Sequence, residues 1–203
     1  MDKSYATCNY DRIVDKNINE CIGICKGILS DDEFNESEKV FLMDWIKKNE
    51  LDKNDSIVKI LFDELNNSNN TLDDSKNILI QFTGGILTPS NEIKSMTTTL
   101  PIEKDLKSVE FQNRSFCLTG KFSSAYGNRQ SIAKILQDKG GNIKDNVIIS
   151  LDYLVIGEFG NNDWIHSSYG RKIEKAIENQ KGYSCTTKII SESQLLPFLE
   201  NES

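Results

Sequence analysis

The C-terminal half of the chain alternates apolar segments with helical patterns, and this alternation restricts the fold more than any other feature. Apolar strand patterns occupy residues 115–122, 142–147, 152–157 and 187–190, and helical patterns start near Arg129, Gly170 and Ser191. Parallel strands need long crossover connections, which helices usually provide. The alternation therefore predicts an α/β domain at residues 109–203, with a parallel sheet and helices on both of its faces.

The N-terminal half has a different pattern. Residues 11–84 place apolar side chains at helical spacing, with Asn35 and Glu38 as a capping box, which predicts about four helices. We therefore predict an all-α bundle at residues 1–85. Residues 86–108 contain two prolines and show little periodicity, so they are predicted to form a linker between two domains.

The formal net charge of −7 is concentrated in the first half of the chain. Residues 1–110 carry 13 Lys and Arg against 21 Asp and Glu, a net charge of −8, whereas residues 111–203 carry 11 against 10, a net charge of +1. The C-terminal half can therefore hold local clusters of cations. No apolar run approaches the ~18 residues of a membrane helix, and the N-terminus has no secretory pattern, which predicts a soluble cytoplasmic protein without a membrane partner.

The five cysteines and the single histidine, His166, offer few ligands for a metal. The odd number and irregular spacing of the cysteines predict reduced thiols rather than a disulfide framework. Cys21 and Cys25 lie one helical turn apart and are predicted to pack in the core. The acidic loop that starts at Asp31 lacks the glycine and glutamate of a calcium loop. We therefore expect no metal and no cofactor, and a structural or hydrogen-bonding role for His166 without catalysis.

The first apolar segment of the C-terminal half ends in Thr119-Gly120, a pair that suits a phosphate group. The threonine offers a hydroxyl, and the glycine lets an anion approach its backbone N–H without a side chain in the way. Two helices are predicted to start near Arg129 and Lys172. If both helix starts converge on Thr119-Gly120, their dipoles and the two cations would face one anion. The sequence therefore predicts a site for phosphate carried by a larger molecule.

Four motifs in the same order are typical of one known family. They are Thr119-Gly120, Gly140-Gly141, the strand Tyr153-Leu154-Val155 and the helix start Gly170-Arg171-Lys172. With these motifs the segment from about residue 109 to 200 resembles a BRCT domain, most of all the BRCT domains of bacterial NAD-dependent DNA ligases and of the large subunit of the eukaryotic clamp loader. The resemblance implies a four-stranded parallel sheet flanked by three helices. It also implies binding of phosphoserine peptides or of the 5′ end of DNA.

The resemblance further implies which residues hold the phosphate. The family's strand-end Ser or Thr corresponds to Thr119, the glycine after it to Gly120, and the lysine at the start of the second helix to Lys172. In the version that binds DNA ends, an arginine opens the first helix eleven residues before the Gly-Gly turn, and Arg129 stands at that spacing from Gly140. Arg129 therefore favours a phosphorylated DNA end over a phosphopeptide.

Further candidate nucleic-acid contacts surround these four residues. Lys121, Arg171 and Lys175 could reach neighbouring phosphates, although a lysine on a helix surface is more often simply solvated. Trp164 and Tyr169 lie in the long segment before the second helix, where aromatic rings could stack on an exposed base or sugar. The alternative for Trp164 is that it fixes this segment to the sheet.

The N-terminal half is similar to the helical tellurite-resistance-B-like domains that are sometimes joined to BRCT domains in bacteria. The similarity lies in the helix Gly23-Ile24-Cys25-Lys26-Gly27 and the acidic turn that follows it. Where those domains often have Asp-Gly in the turn, this chain has Asp31-Asp32. The difference argues against a metal role for the turn.

Two functions stay open. One is a non-enzymatic module that binds 5′-phosphorylated DNA ends or nicks in DNA repair or replication, which Arg129 favours. The other is a protein-interaction adaptor for a phosphopeptide or partner protein, which the acidic helical half favours because it repels DNA. The sequence shows no nucleotide-binding loop, ligase lysine motif, histidine-based triad or pattern of paired carboxylates, so we do not expect an enzyme.

Overall fold

A computed structural model of the protein describes residues 3–84, 97–159, 166, 168–183 and 185–200. The N-terminal half consists of helices, as the sequence predicts. They are α1 (Lys3–Ile28), a 3₁₀ turn (Leu29–Asp31), α2 (Glu36–Lys48), α3 (Leu51–Asn54), α4 (Ser56–Leu65) and α5 (Leu72–Thr83). Asn35 and Glu38 form the predicted capping box before α2, and Asp55 caps α4 by accepting hydrogen bonds from two amides of its first turn.

The C-terminal half forms a four-stranded parallel sheet with flanking helices, which confirms the predicted α/β class. Its elements are β1 (Ser115–Thr119), α6 (Arg129–Asp138), β2 (Asn142–Lys144), β3 (Tyr153–Ile156), α7 (Arg171–Tyr183), β4 (Lys188–Ser191) and α8 (Glu192–Glu200). The strand order is β2-β1-β3-β4. Cys117 of β1 lies opposite both Lys144 of β2 and Leu154 of β3, so β1 is an interior strand of the sheet.

Alternate residues of the strands pack into two apolar clusters. On one face, Cys117, Leu154 and Ile189 belong to a cluster with residues of α7 and of the helical half. On the opposite face, Leu118 and Val155 belong to a cluster with residues of α6 and α8. Every residue of β1 and β3 is buried, as expected for parallel strands that are covered on both faces.

The helical half and the sheet half share the first of these clusters, which joins residues of α1, α4 and α5 to residues of the sheet and of α7. Thr98 adds polar contacts to both halves. Its amide donates to the Ser168 carbonyl over 2.8 Å, and its hydroxyl donates to the Gln81 carbonyl over 2.9 Å. Thr98, in the middle of the predicted linker, therefore contacts both halves. The division into domains at 1–85 and 109–203 stays a prediction.

Element boundaries differ from the predicted ones by a few residues. The first strand ends at Thr119 rather than at 122, because Gly120 turns the chain with a φ of 84°. The helix predicted at 170–179 extends as far as Tyr183. No helix in the described ranges is both long and apolar enough to cross a membrane.

Candidate phosphate-binding site

The carboxyl end of β1 leaves two donors for a ligand. Thr119 is buried, and its carbonyl accepts a hydrogen bond from the Gly157 amide over 2.9 Å. Within the described part of the chain, the Thr119 hydroxyl has no hydrogen-bond partner, and the Gly120 amide donates to no backbone carbonyl. The hydroxyl and the amide predicted to bind phosphate therefore belong to adjacent residues, and no described residue accepts a hydrogen bond from either of them.

Gly120 is required by the backbone as well as by the predicted ligand. Its φ of 84° lies in the left-handed region, which residues with a side chain rarely adopt. A Cβ at this position would also lie 3.1 Å from the Phe159 carbonyl oxygen and 3.2 Å from the Gly157 nitrogen. The close approach of the segment after β3 therefore also favours glycine at this position.

Lys172 brings positive charge to the carboxyl end of β1, and the charge of Arg129 acts on Cys117 in the middle of the same strand. The half-buried Lys172 lies in the first turn of α7, and its Nζ donates to the Leu118 carbonyl over 3.5 Å. The exposed Arg129 is the first residue of α6. Burial raises the pKa of the Cys117 thiol, and the charges of Lys172 and Arg129 oppose that shift, so both cations act on the same strand. Neither cation forms an ion pair with a described residue.

The start of α6 contributes a side chain rather than free amides. The Asn128 side chain caps the helix and accepts hydrogen bonds from the Gln130 and Ser131 amides over 2.9 and 3.1 Å. These amides are the donors that an anion at the helix N-terminus would otherwise use. The contribution of α6 to an anion site is therefore the Arg129 guanidinium together with the helix dipole.

A buried carboxylate that the sequence analysis did not identify holds the loop after β1. Glu192 at the start of α8 is fully buried. Its carboxylate accepts hydrogen bonds from the Ser123 and Ser124 amides over 3.1 and 2.8 Å, and from the Glu158 amide over 3.4 Å. These amides belong to the segments that follow β1 and β3, so one carboxylate fixes both segments beside the candidate site. Ser123 and Ser124 lie 69 and 68 residues before Glu192 in the sequence. No local spacing pattern could therefore predict these hydrogen bonds.

The three additional cations predicted to contact nucleic acid lie in two places. Lys121 follows Gly120 directly, and its backbone pairs with that of Phe159. Arg171 and Lys175 instead line a separate cavity of about 720 Å³ between α1, the start of α4 and α7. Lys175 also forms an ion pair with Glu178 over 3.2 Å. Only Lys121 of these three therefore lies next to the candidate site.

The predicted stacking role of Tyr169 is wrong. Its side chain is fully buried, and its hydroxyl donates to Oδ1 of Asp55 over 3.2 Å. The ring packs against those of His166 and Phe82, with centroid separations of 4.7 and 6.3 Å. An enclosed ring has no face left for a base, which explains why the prediction fails. Trp164, the other predicted aromatic contact, lies outside the described residues.

Tyr169 belongs to a buried polar cluster between the two halves. Asp55, His166 and Glu174 each place one metal-ligating atom within 4.8 Å of the others, a geometry that could hold a metal. Burial raises the pKa of the Asp55 carboxyl to about 6, and the Glu174 charge adds to this shift, while the Val58 amide, His166 and the Tyr169 hydroxyl oppose it. The sequence predicts no metal, since it offers few cysteine and histidine ligands. The three residues of this cluster come from distant segments and form no spacing motif, so no local pattern identifies it.

No model of a known protein family matches the chain, and no curated protein matches it in sequence. Its function is therefore inferred from the donors at the Thr119-Gly120 turn, from Lys172 beside them and from Arg129 at the start of α6.

Proposed function

We propose that the protein is a non-enzymatic, BRCT-like module that binds a 5′-phosphorylated DNA end or nick in DNA repair or replication. One observation carries the proposal: the Nζ of Lys172 donates to the Leu118 carbonyl over 3.5 Å, beside Thr119 and Gly120, whose hydroxyl and amide have no partner among the described residues. The parallel sheet and the flanking helices α6, α7 and α8 agree with the fold that the resemblance to BRCT domains implies.

The chemistry of these four groups favours a terminal phosphate. The Arg129 guanidinium can donate to two phosphate oxygens at once, and Lys172 supplies a compact charge. The Thr119 hydroxyl and the Gly120 amide can each donate one further hydrogen bond. Hydrogen bonds to charged groups contribute roughly 1.5–3 kcal/mol each. A terminal phosphate offers more free oxygens and more negative charge than an internal phosphodiester, so the site is expected to prefer an end.

The acidic helical half limits how much DNA the protein contacts. Residues 1–110 carry a net charge of −8 and repel a duplex, whereas residues 111–203 carry +1. Binding should therefore depend on the end phosphate and a few neighbours rather than on a long basic surface. The same acidic half supports the second candidate function, in which the four groups bind a phosphoserine in a partner protein.

The expected result for the proposed function is tighter binding to a phosphorylated DNA end. We predict at least tenfold higher affinity for a duplex with a 5′-phosphate than for the same duplex with a 5′-hydroxyl, measured by fluorescence anisotropy at moderate salt. Each phosphate contact contributes about −0.9 to the slope of log K against log salt, so the slope should correspond to about two or three contacts.

A phosphoserine peptide and its unphosphorylated form provide the matched comparison. Equal affinity for the two duplexes, together with selective binding of the phosphopeptide, would replace DNA-end recognition with the adaptor function. A slope of log K against log salt that corresponds to many phosphate contacts would also contradict the proposal, because it would indicate binding along the length of the duplex rather than at its end.

A further inference from the structure

We propose that the protein binds a first-row divalent cation, Zn²⁺ more tightly than Mn²⁺, between its helical half and its sheet half. The ligands are Asp55, His166 and Glu174, whose ligating atoms all lie within 4.8 Å of one another. Oδ1 of Asp15 in α1 lies 3.8 Å from Nε2 of His166, outside this group of three, and is the candidate for a fourth ligand. This site is separate from the Thr119-Gly120 turn and does not depend on the function proposed for it.

The separation between His166 and Glu174 agrees with ligands that share one ion, and the other separations in the cluster are somewhat longer. With bonds of about 2.0–2.2 Å, neighbouring ligand atoms around a zinc ion lie about 3.0–3.6 Å apart. The distance from Nε2 of His166 to Oε1 of Glu174 is 3.1 Å, and the distance from the same nitrogen to Oδ1 of Asp15 is 3.8 Å. Small side-chain rotations would therefore complete the coordination.

Hydrogen bonds to one oxygen of Asp55 fix the orientation of its carboxylate, as is usual for carboxylates that bind metals. Its Oδ1 accepts hydrogen bonds from the Ile57 amide over 2.9 Å, from the Val58 amide over 2.7 Å and from the Tyr169 hydroxyl over 3.2 Å. These three donors fix the carboxylate and leave Oδ2 for an ion. Such supporting hydrogen bonds are typical of ligating carboxylates.

The Nε2 atom of His166 faces two carboxylates, and an ion bound between them would stabilise this arrangement. The histidine side chain is buried, and its Nδ1 has no hydrogen-bond partner among the described residues. If Nδ1 carries the proton, the lone pair of Nε2 points towards the oxygens of Glu174 and Asp15, which repel it. If Nε2 carries the proton, Nδ1 is a buried acceptor without a donor. A cation removes the repulsion, because the lone pair and the carboxylates then bind the same ion.

The mixed donor set selects the class of cation. Magnesium and calcium prefer sites built from oxygen atoms alone, whereas an imidazole with carboxylates suits zinc and manganese. Affinity in such sites rises from manganese to zinc. Asp15, Asp55 and Glu174 line the cavity of about 720 Å³ between α1, the start of α4 and α7, which gives the ion a path from solvent.

The ion would join the two halves of the protein. Asp15 and Asp55 belong to the helical half, whereas His166 and Glu174 belong to the sheet half. A ligand that binds only the folded state stabilises that state in proportion to its concentration above the dissociation constant. Zinc is therefore expected to raise the unfolding temperature of the whole chain.

The test uses the full chain without an affinity tag, stripped of metal with a chelator and dialysed. Isothermal titration calorimetry with Zn²⁺ should give one bound equivalent, and thermal unfolding followed by circular dichroism should shift upwards as Zn²⁺ is added. Glu174→Gln should weaken Zn²⁺ binding at least tenfold and abolish the thermal shift. Asp55→Asn should do the same while keeping the cap of α4, since Asn is also a good N-cap.

Glu178→Gln is the matched control, because Glu178 lies one turn further along α7 and lines the same cavity but is outside the ligand cluster. Its affinity for Zn²⁺ should stay within about twofold of the wild-type value. The proposal is overturned if the wild-type protein binds no Zn²⁺, or if Glu174→Gln and Asp55→Asn bind it as tightly as the wild type. Binding that is lost in both variants and kept in Glu178→Gln supports it.

Discussion

Gly157→Ala is expected to lower the free energy of unfolding by about 3 kcal/mol or more. A Cβ at Gly157 would overlap the Lys121 carbonyl oxygen and lie 2.7 Å from the Lys121 carbonyl carbon and 3.1 Å from the Phe122 nitrogen. These are backbone atoms, so no side-chain rotation can relieve the overlap. The segments after β1 and β3 would have to separate, and overpacking of this kind costs about 1–3 kcal/mol and occasionally more.

Gly23→Ala is the control for this substitution. Gly23 is exposed within α1, and a Cβ there would have no neighbouring atom within 4 Å. Because alanine favours a helix over glycine, the control should raise the free energy of unfolding by about 1 kcal/mol or less. Urea denaturation followed by circular dichroism measures both changes. Equal stability of Gly157→Ala and the wild type would contradict the close approach of the two segments.

Glu192→Ala is expected to have a similarly large effect, about 3 kcal/mol of lost stability. The substitution would leave the part-buried amides of Ser123, Ser124 and Glu158 without their acceptor. Each buried group left unsatisfied costs about 1–3 kcal/mol, and part-buried amides fall at the lower end of this range, so the three together account for about 3 kcal/mol. The same urea titration gives the free energy of unfolding. Since these amides belong to segments beside the candidate phosphate site, affinity for a 5′-phosphate should also fall.

Glu192→Gln separates the hydrogen bonds from the cavity that alanine creates. Glutamine has nearly the same shape and keeps one acceptor oxygen, so it can still pair with the loop after β1. The free energy of unfolding of Glu192→Gln should lie between that of the wild type and that of Glu192→Ala. If both variants were as stable as the wild type, the loop would not depend on the carboxylate hydrogen bonds.

The parts of the fold that local signals determine were predicted well. Alternating apolar and helical segments were enough for the parallel α/β sheet, because each element shows its own period. The helix starts at Asn35 and Ser191 were also predictable, since their capping partners lie three residues away. At the candidate site, the Thr119-Gly120 turn follows from the strand that precedes it.

The parts that depend on long-range packing could not be predicted in this way. Tyr169 looked like an exposed aromatic because its partner Asp55 is 114 residues away. The contacts of Glu192 and the cluster around His166 likewise join segments with no shared motif. Arg171 and Lys175 were assigned from their nearness to Lys172 in sequence, but helical geometry turns them towards the cavity between the halves.

The most direct test of the phosphate site is the ratio of affinities for 5′-phosphate and 5′-hydroxyl duplexes in Lys172→Gln. Lys48→Gln, at an exposed position in α2, is the control because it removes the same charge far from the turn. Thermal unfolding should confirm that both variants fold. The ratio should fall to about one in Lys172→Gln and stay at the wild-type value in Lys48→Gln. An unchanged ratio in Lys172→Gln would show that the phosphate binds elsewhere.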